Sequence, residues 1–134
     1  MKILGNNSKL ILLILGKSNI NSINEWDAKW LRVSVDINLI GFTANFKIEL
    51  VEDDFKQFFN SLNDVLNKTS KVVEFKTMEE SIYLKGQITY SGLIEWEGFV
   101  QFPIGDGSTL TFKFESDFLQ IENLYDSLKK DLSF

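Results

Sequence analysis

The sequence predicts an α+β fold: one antiparallel sheet of about seven strands, curled or partly closed, with two amphipathic helices packed on it, one mid-chain and one C-terminal. Three observations predict it. Strict apolar/polar alternation recurs along most of the chain, which is the period of a half-buried strand. One long segment and the C-terminal stretch switch to helical spacing. Turn residues separate the segments with little chain between them, as antiparallel neighbours require. At 134 residues the chain suits a single domain, 1–134, long enough to bury roughly two-thirds of its unfolded surface without disulfides or metal.

The first predicted strand is the apolar run Leu10 to Leu15, entered by a turn at Gly5-Asn6-Asn7-Ser8. It is followed directly by Gly16-Lys17. That is too short for a secretory apolar region of at least about seven residues or a span of about twenty. The polar stretch Lys17 to Lys29, rich in Ser and Asn, predicts an ordered loop anchored by Trp26. Leu31, Val33, Val35, Ile37 and Leu39 then alternate with polar residues. After a turn at Ile40-Gly41, Phe42, Ala44, Phe46, Ile48 and Leu50 do the same, so the two runs predict a hairpin.

From Phe55 the period changes. Phe55, Phe58, Phe59, Leu62, Val65 and Leu66 fall on one helical face, with Glu52, Asp53 and Asp54 at the start and Lys68 near the end, where the helix dipole favours those signs. Four strands follow: Val72 to Lys76, then Ile82, Leu84, Gly86, Ile88 and Tyr90 inward, then Ile94, Trp96, Gly98, Val100 and Phe102, then Leu110, Phe112 and Phe114. Ser91-Gly92 and the loop Pro103 to Gly107 divide them. The closing helix carries Ile121, Leu124, Tyr125, Leu128 and Leu132 on one stripe, with Asp117 and Gln120 at capping-box spacing and Lys129-Lys130 near its end. No internal sequence repeat is visible.

Composition narrows function by exclusion. The chain has no His and no Cys, so it cannot assemble a Ser-His-acid or Cys-His nucleophile or a usual zinc site. No catalytic residue, cofactor or metal ligand is assigned. Its formal charge is −5, which repels the phosphate backbone, and no direct nucleic-acid or membrane partner is expected. Glu95 and Glu97 lie two residues apart on one strand face, about 6.5 to 7 Å between Cα atoms, within the range of paired carboxyls in inverting glycosidases. Any acidic pair at that spacing on an exposed strand has this separation, so it reads as a solvated face whose charge Lys85 or Lys113 balances. Gly105-Asp106-Gly107-Ser108 precedes a strand rather than a helix, so it reads as a hairpin loop and not a phosphate cradle. Gly86 and Gly98 either admit a small ligand to a curled sheet or relieve crowding opposite a side chain such as Trp96. The triplets Asn6-Asn7-Ser8 and Asn67-Lys68-Thr69 match the glycosylation pattern, which has meaning only in a secreted chain.

Most aromatics are used by the inward positions. Trp26, Trp30, Tyr83, Leu93 and Phe99 fit those positions less well. Trp26, Trp30 and Tyr83, with Glu79, Glu80, Glu95 and Glu97 as steering charges, are the candidate contacts for a protein partner.

Several segments carry a resemblance. Leu10 to Gly16, Trp26-Asp27-Ala28-Lys29-Trp30-Leu31, Gly41-Phe42, Glu52-Asp53-Asp54-Phe55, the Pro103 to Gly107 loop and Leu110-Thr111-Phe112-Lys113-Phe114-Glu115 together resemble the small bacterial WapI-like immunity proteins. The resemblance runs along nearly the whole chain, in short structural motifs. It implies a cytoplasmic, non-catalytic antidote that binds and neutralises a toxin, the family's namesake facing a tRNA-cleaving nuclease. It carries no catalytic motif and no particular binding residue. An acidic binder suits a basic toxin domain, because complementary charge speeds encounter. The residues by themselves leave open a small-ligand carrier, a carboxylate enzyme, or another protein-interaction domain, and they leave the oligomeric state undefined.

Overall fold

The structure is a computed structural model that describes residues 1–21 and 23–132; Ser22, within the expected loop, and Ser133 and Phe134, within the expected domain, lie outside the described residues. The first strands are β1 (Lys2–Gly5), β2 (Ser8–Lys17), β3 (Trp30–Leu39) and β4 (Phe42–Val51), with a short helix α1 (Glu25–Ala28) between β2 and β3. Helix α2 (Glu52–Leu66) follows, then β5 (Val72–Lys76), β6 (Ile82–Ile88), β7 (Leu93–Phe102), β8 (Ser108–Asp117) and α3 (Leu119–Asp131).

The strands form two antiparallel sheets of four, in the orders β1-β2-β3-β4 and β5-β6-β7-β8. This corrects the single curled sheet of about seven strands. Alternation reports which face of a strand is buried but not which strand lies beside it, and α2 intervenes where the continuous sheet was expected. The additional strand is β1, whose Ile3 is buried opposite Leu10. Apart from the short α1, the architecture is therefore four strands and a long helix, twice over, without a sequence repeat to announce it.

The two sheets do not close into a barrel. They are joined by a seam. The Asn6 backbone N–H donates to the Glu115 carbonyl at 2.9 Å, and the Glu115 N–H donates to the Asn6 side-chain oxygen at 2.9 Å. Ser116 hydroxyl donates to the Leu4 carbonyl and accepts from Trp96 Nε1–H at 3.2 Å. A buried polar hydroxyl thus finds both partners, as its desolvation requires.

One apolar core lies behind both sheets, including Leu10, Leu12, Val33, Val35, Ile37, Leu84, Ile94 and Trp96. The predicted helical faces supply the rest. Phe55, Phe58, Leu62 and Val65 of α2 are buried, and Phe55 and Phe58 both meet Phe75, at 5.5 and 5.2 Å between ring centroids. In α3, Ile121, Leu124 and Leu128 are buried, while Tyr125 stacks on Phe59 of α2 at 4.6 Å. The Met1 amino group donates to the Leu12 carbonyl at 3.0 Å and to Asp131 at 2.8 Å, tying β1 to α3.

Gly86 faces Trp96 across the β6–β7 ladder, and a Cβ there would lie 2.7 Å from the indole ring. At Gly98 a Cβ would lie 2.0 Å from the Tyr83 carbonyl oxygen. Both glycines give room to the protein itself, which is the crowding reading rather than the ligand one.

Three local expectations change. Phe42, Tyr90 and Phe102, expected inward, are exposed, because Phe42 opens its strand beside the β3–β4 turn, Tyr90 lies beyond the end of β6 and Phe102 ends β7. Tyr90 instead sits under the Lys71 ammonium, 5.6 Å from the ring centroid. Asp117 is not a helix cap: it is held in the β8 ladder opposite Leu93, and the cap position falls on Phe118, with no side-chain bond. The Lys17 to Lys29 stretch contains α1, capped by Asn24, whose side chain accepts from the Trp26 N–H at 2.8 Å.

Candidate functional site

Three rows set by strand register run across the middle of the outer face of the second sheet. Gln87, Glu95 and Glu115 form one row; Glu74, Lys85, Glu97 and Lys113 the next; Lys76, Tyr83, Phe99 and Thr111 the third. Alternation along β7 sends Ile94, Trp96, Gly98 and Val100 into the core, so Glu95, Glu97 and Phe99 must face outward together.

At the aromatic row, Tyr83 stacks on Phe99 with ring centroids 6.0 Å apart and planes 26° apart. The Tyr83 hydroxyl donates to Glu74 Oε2 at 2.9 Å. Burial raises the Tyr83 phenol above its ordinary value, and the hydrogen bond and charge of Glu74, with the charge of Glu97, push the same way. The phenol therefore stays a neutral donor, held in place by a carboxylate. Beside this row a depression of about 560 Å³ is lined by residues including Lys85, Glu95, Glu97, Lys113 and Glu115.

A second depression, about 440 Å³, lies at the far end of the same sheet, lined by residues including Glu79, Glu80, Phe99, Gln101 and Ile104. Glu79 and Glu80 belong to the β5–β6 turn, where Glu80 takes a left-handed φ of 57°. That turn is fastened from below. The Met78 N–H donates to Asp54 Oδ2 at 3.3 Å, and the buried Thr77 hydroxyl donates to the Ile82 carbonyl at 3.2 Å and accepts the Ile82 N–H at 3.1 Å. Burial raises the Asp54 carboxyl above the ordinary range, although N–H groups of Met78 and Val51 oppose the shift.

Five of the seven candidate residues are thus gathered on one sheet: Tyr83, Glu79, Glu80, Glu95 and Glu97. Trp26 and Trp30 belong to the other. They meet edge to face at 6.2 Å where β3 begins, Trp30 opposite Val51 and Trp26 half-exposed on α1. Glu74 and Glu115 were not in the candidate set, and Phe99 stood out only as fitting the inward positions less well. Phe99 shares the parity of Glu95 and Glu97 and was legible from alternation; Glu74 and Glu115 needed the register of neighbouring strands.

Chemically the face offers a stacked aromatic pair and closely spaced charges. Glu97 stands directly between Lys85 and Lys113, the arrangement of cross-strand charge balance. No group of three or more His, Cys, Asp or Glu side chains placed to hold a metal ion occurs among the described residues. No helix among them is long and apolar enough to cross a membrane.

Comparison with known proteins gives two findings. The sequence profile of the immunity protein WapI-like family matches residues 2–133. No curated protein matches the chain. Among solved structures, MRP1/MRP2 of Trypanosoma brucei is similar at 11% identity and a TM-score of 0.52, covering 97% of this chain and 80% of that one. A guide-RNA-binding protein complex bound to its guide RNA is similar at 10% identity and a TM-score of 0.47, covering 97% and 91%. With the former, the likeness is one of fold.

Proposed function

The chain belongs to the immunity protein WapI-like family, and from that premise we propose that it is a non-catalytic, single-domain antidote that binds a cognate toxin in the bacterial cytoplasm and occludes its working surface. The observation that carries the reading is the outer face of the second sheet. There a stacked aromatic pair, Tyr83 and Phe99, is set among Glu74, Glu79, Glu80, Glu95, Glu97 and Glu115.

Aromatic anchors supply the desolvated centre of an interface, and a carboxylate rim steers a basic partner toward it. The Tyr83–Glu74 bond supports this by fixing the ring before the partner arrives, which lowers the ordering cost of binding. The partner of best fit is a basic toxin domain, taken up one toxin per chain.

The test is co-expression with the toxin encoded beside this gene, together with calorimetry on the purified pair. The reading expects restored growth and equal numbers of the two chains in a stable complex. Growth arrest that persists, with no heat of binding, removes it.

A further inference from the structure

Two sheets of four strands have four outer edges, and three of them are occupied. On β5, the Ser61 hydroxyl of α2 donates to the Glu74 carbonyl at 3.5 Å and accepts the Glu74 N–H at 3.3 Å. β1 and β8 close on each other through Asn6 with Glu115 and Leu4 with Ser116. The fourth edge is β4. Between Phe42 and Leu50 no hydrogen bond to any element other than β3 is made among the described residues. Yet β4 is ten residues long, lacks proline, and pairs with β3 without a bulge. Natural edges are commonly shortened, bulged or given proline; this one is none of these.

The geometry points to β4 as a self-association edge: a second copy of this chain pairs its own β4 antiparallel to it, about a twofold axis at Ile48, joining the two first sheets into one.

Register decides the axis. Residues directly opposite in an antiparallel pair share a face, and in β4 Phe46, Ile48 and Leu50 are buried while Asn45, Lys47 and Glu49 are exposed. The axis must therefore pass through a residue, not between two. At Lys47 it would set lysine against lysine, and at Glu49 glutamate against glutamate, both unfavourable. At Ile48 each Lys47 faces Glu49 of the second copy, twice by symmetry. Phe46 then continues the inner face toward Leu50 of the second copy, and α2, beginning at Glu52, ends the ladder. Lys47 alone would guard the edge. With Glu49 two residues on, the edge is complementary to itself.

Sedimentation velocity on the full chain, from low micromolar to near-millimolar concentration, tests this. A concentration-dependent dimer is expected. Lys47→Glu and Glu49→Lys should each weaken it about tenfold or more, and the double exchange should restore it to within about threefold of wild type. A chain that stays monomeric throughout, single variants that dimerise unchanged, or a double variant no better than the singles would each overturn the proposal.

A second measurement does not depend on those variants. The chain has no cysteine, so a nitroxide on Asn45→Cys reports one distance. Three residues on either side of the axis, at about 3.4 Å per residue, set the two Cα atoms roughly 21 Å apart. Dipolar coupling consistent with that separation supports the register; a much longer distance, or none, sinks it.

Discussion

The two halves of the molecule share a plan and differ in what they show to solvent. On the first sheet the outward residues include Lys2, Lys9, Arg32 and Lys47 against Asp36 and Glu49, with Leu4 and Leu13 exposed among them. On the second sheet Glu74, Glu95, Glu97, Glu115 and Asp117 outnumber Lys76, Lys85 and Lys113, and Glu79 and Glu80 lie at its end. The chain's net charge of −5 is thus an average over two faces of different character. What a charge balance implies about partners has to be asked face by face.

The sharpest way to break the comparison is to remove what fixes the second sheet. Trp96 fills the space over Gly86 and reaches Ser116, which in turn holds Leu4 of the first sheet. Trp96→Ala is expected to cost about 3–5 kcal/mol in urea unfolding, whereas Leu13→Ala, on the outer face of the first sheet, should stay within about 0.5 kcal/mol. Equal losses would mean that the outer face of the first sheet is structural too.

Next in size is recognition. Reversing Glu95 and Glu97 together to lysine should weaken toxin binding by about 2–5 kcal/mol and slow association. Lys9→Glu on the opposite sheet should change it by less than about 0.5 kcal/mol. Calorimetry and stopped-flow mixing at two salt concentrations separate the two cases. If Lys9→Glu does the greater damage, the partner sits on the first sheet.

The smallest effect belongs to Asp54, which joins the start of α2 to the turn that carries Glu79 and Glu80. Its carboxyl is raised by burial, so the folded chain holds that proton more tightly than the unfolded chain. The stability this contributes is full below the ordinary value of 3.8 and is lost as pH rises through the raised folded value. Asp54→Asn cannot ionise. Its stability relative to wild type should therefore improve as pH rises from about 3 through the raised folded value. A difference that is flat, or runs the other way, across that range contradicts the assignment.

Much of this was legible in the sequence, and the failures have physical causes. The hairpin of β3 and β4 and the α2 stripe were readable because long segments repeat one period many times. β1 was not, since its four residues hold too few alternations to register, although the turn after it was plain. The division into two sheets was hidden because period 2 fixes a strand's faces and is silent about its neighbours. The same limit applies to the candidate surface. Glu95 and Glu97 were found from one strand, but the contact of Tyr83 with Phe99 and Glu74 depends on three strands in register. Trp26 and Trp30 stood out by residue type, which carries no information about which sheet they join.

The seam between Asn6 and Glu115 spans 109 residues of chain, and Leu4 meets Ser116 across 112, whereas each hairpin is closed by its own turn. On the ribosome, then, the first four strands and α2 have left the exit tunnel before the strand that finishes them has been made. Until Ser116 emerges, the nascent first sheet carries two open sides instead of one, and only the contacts of α3, among them Met1 with Asp131, wait longer on translation.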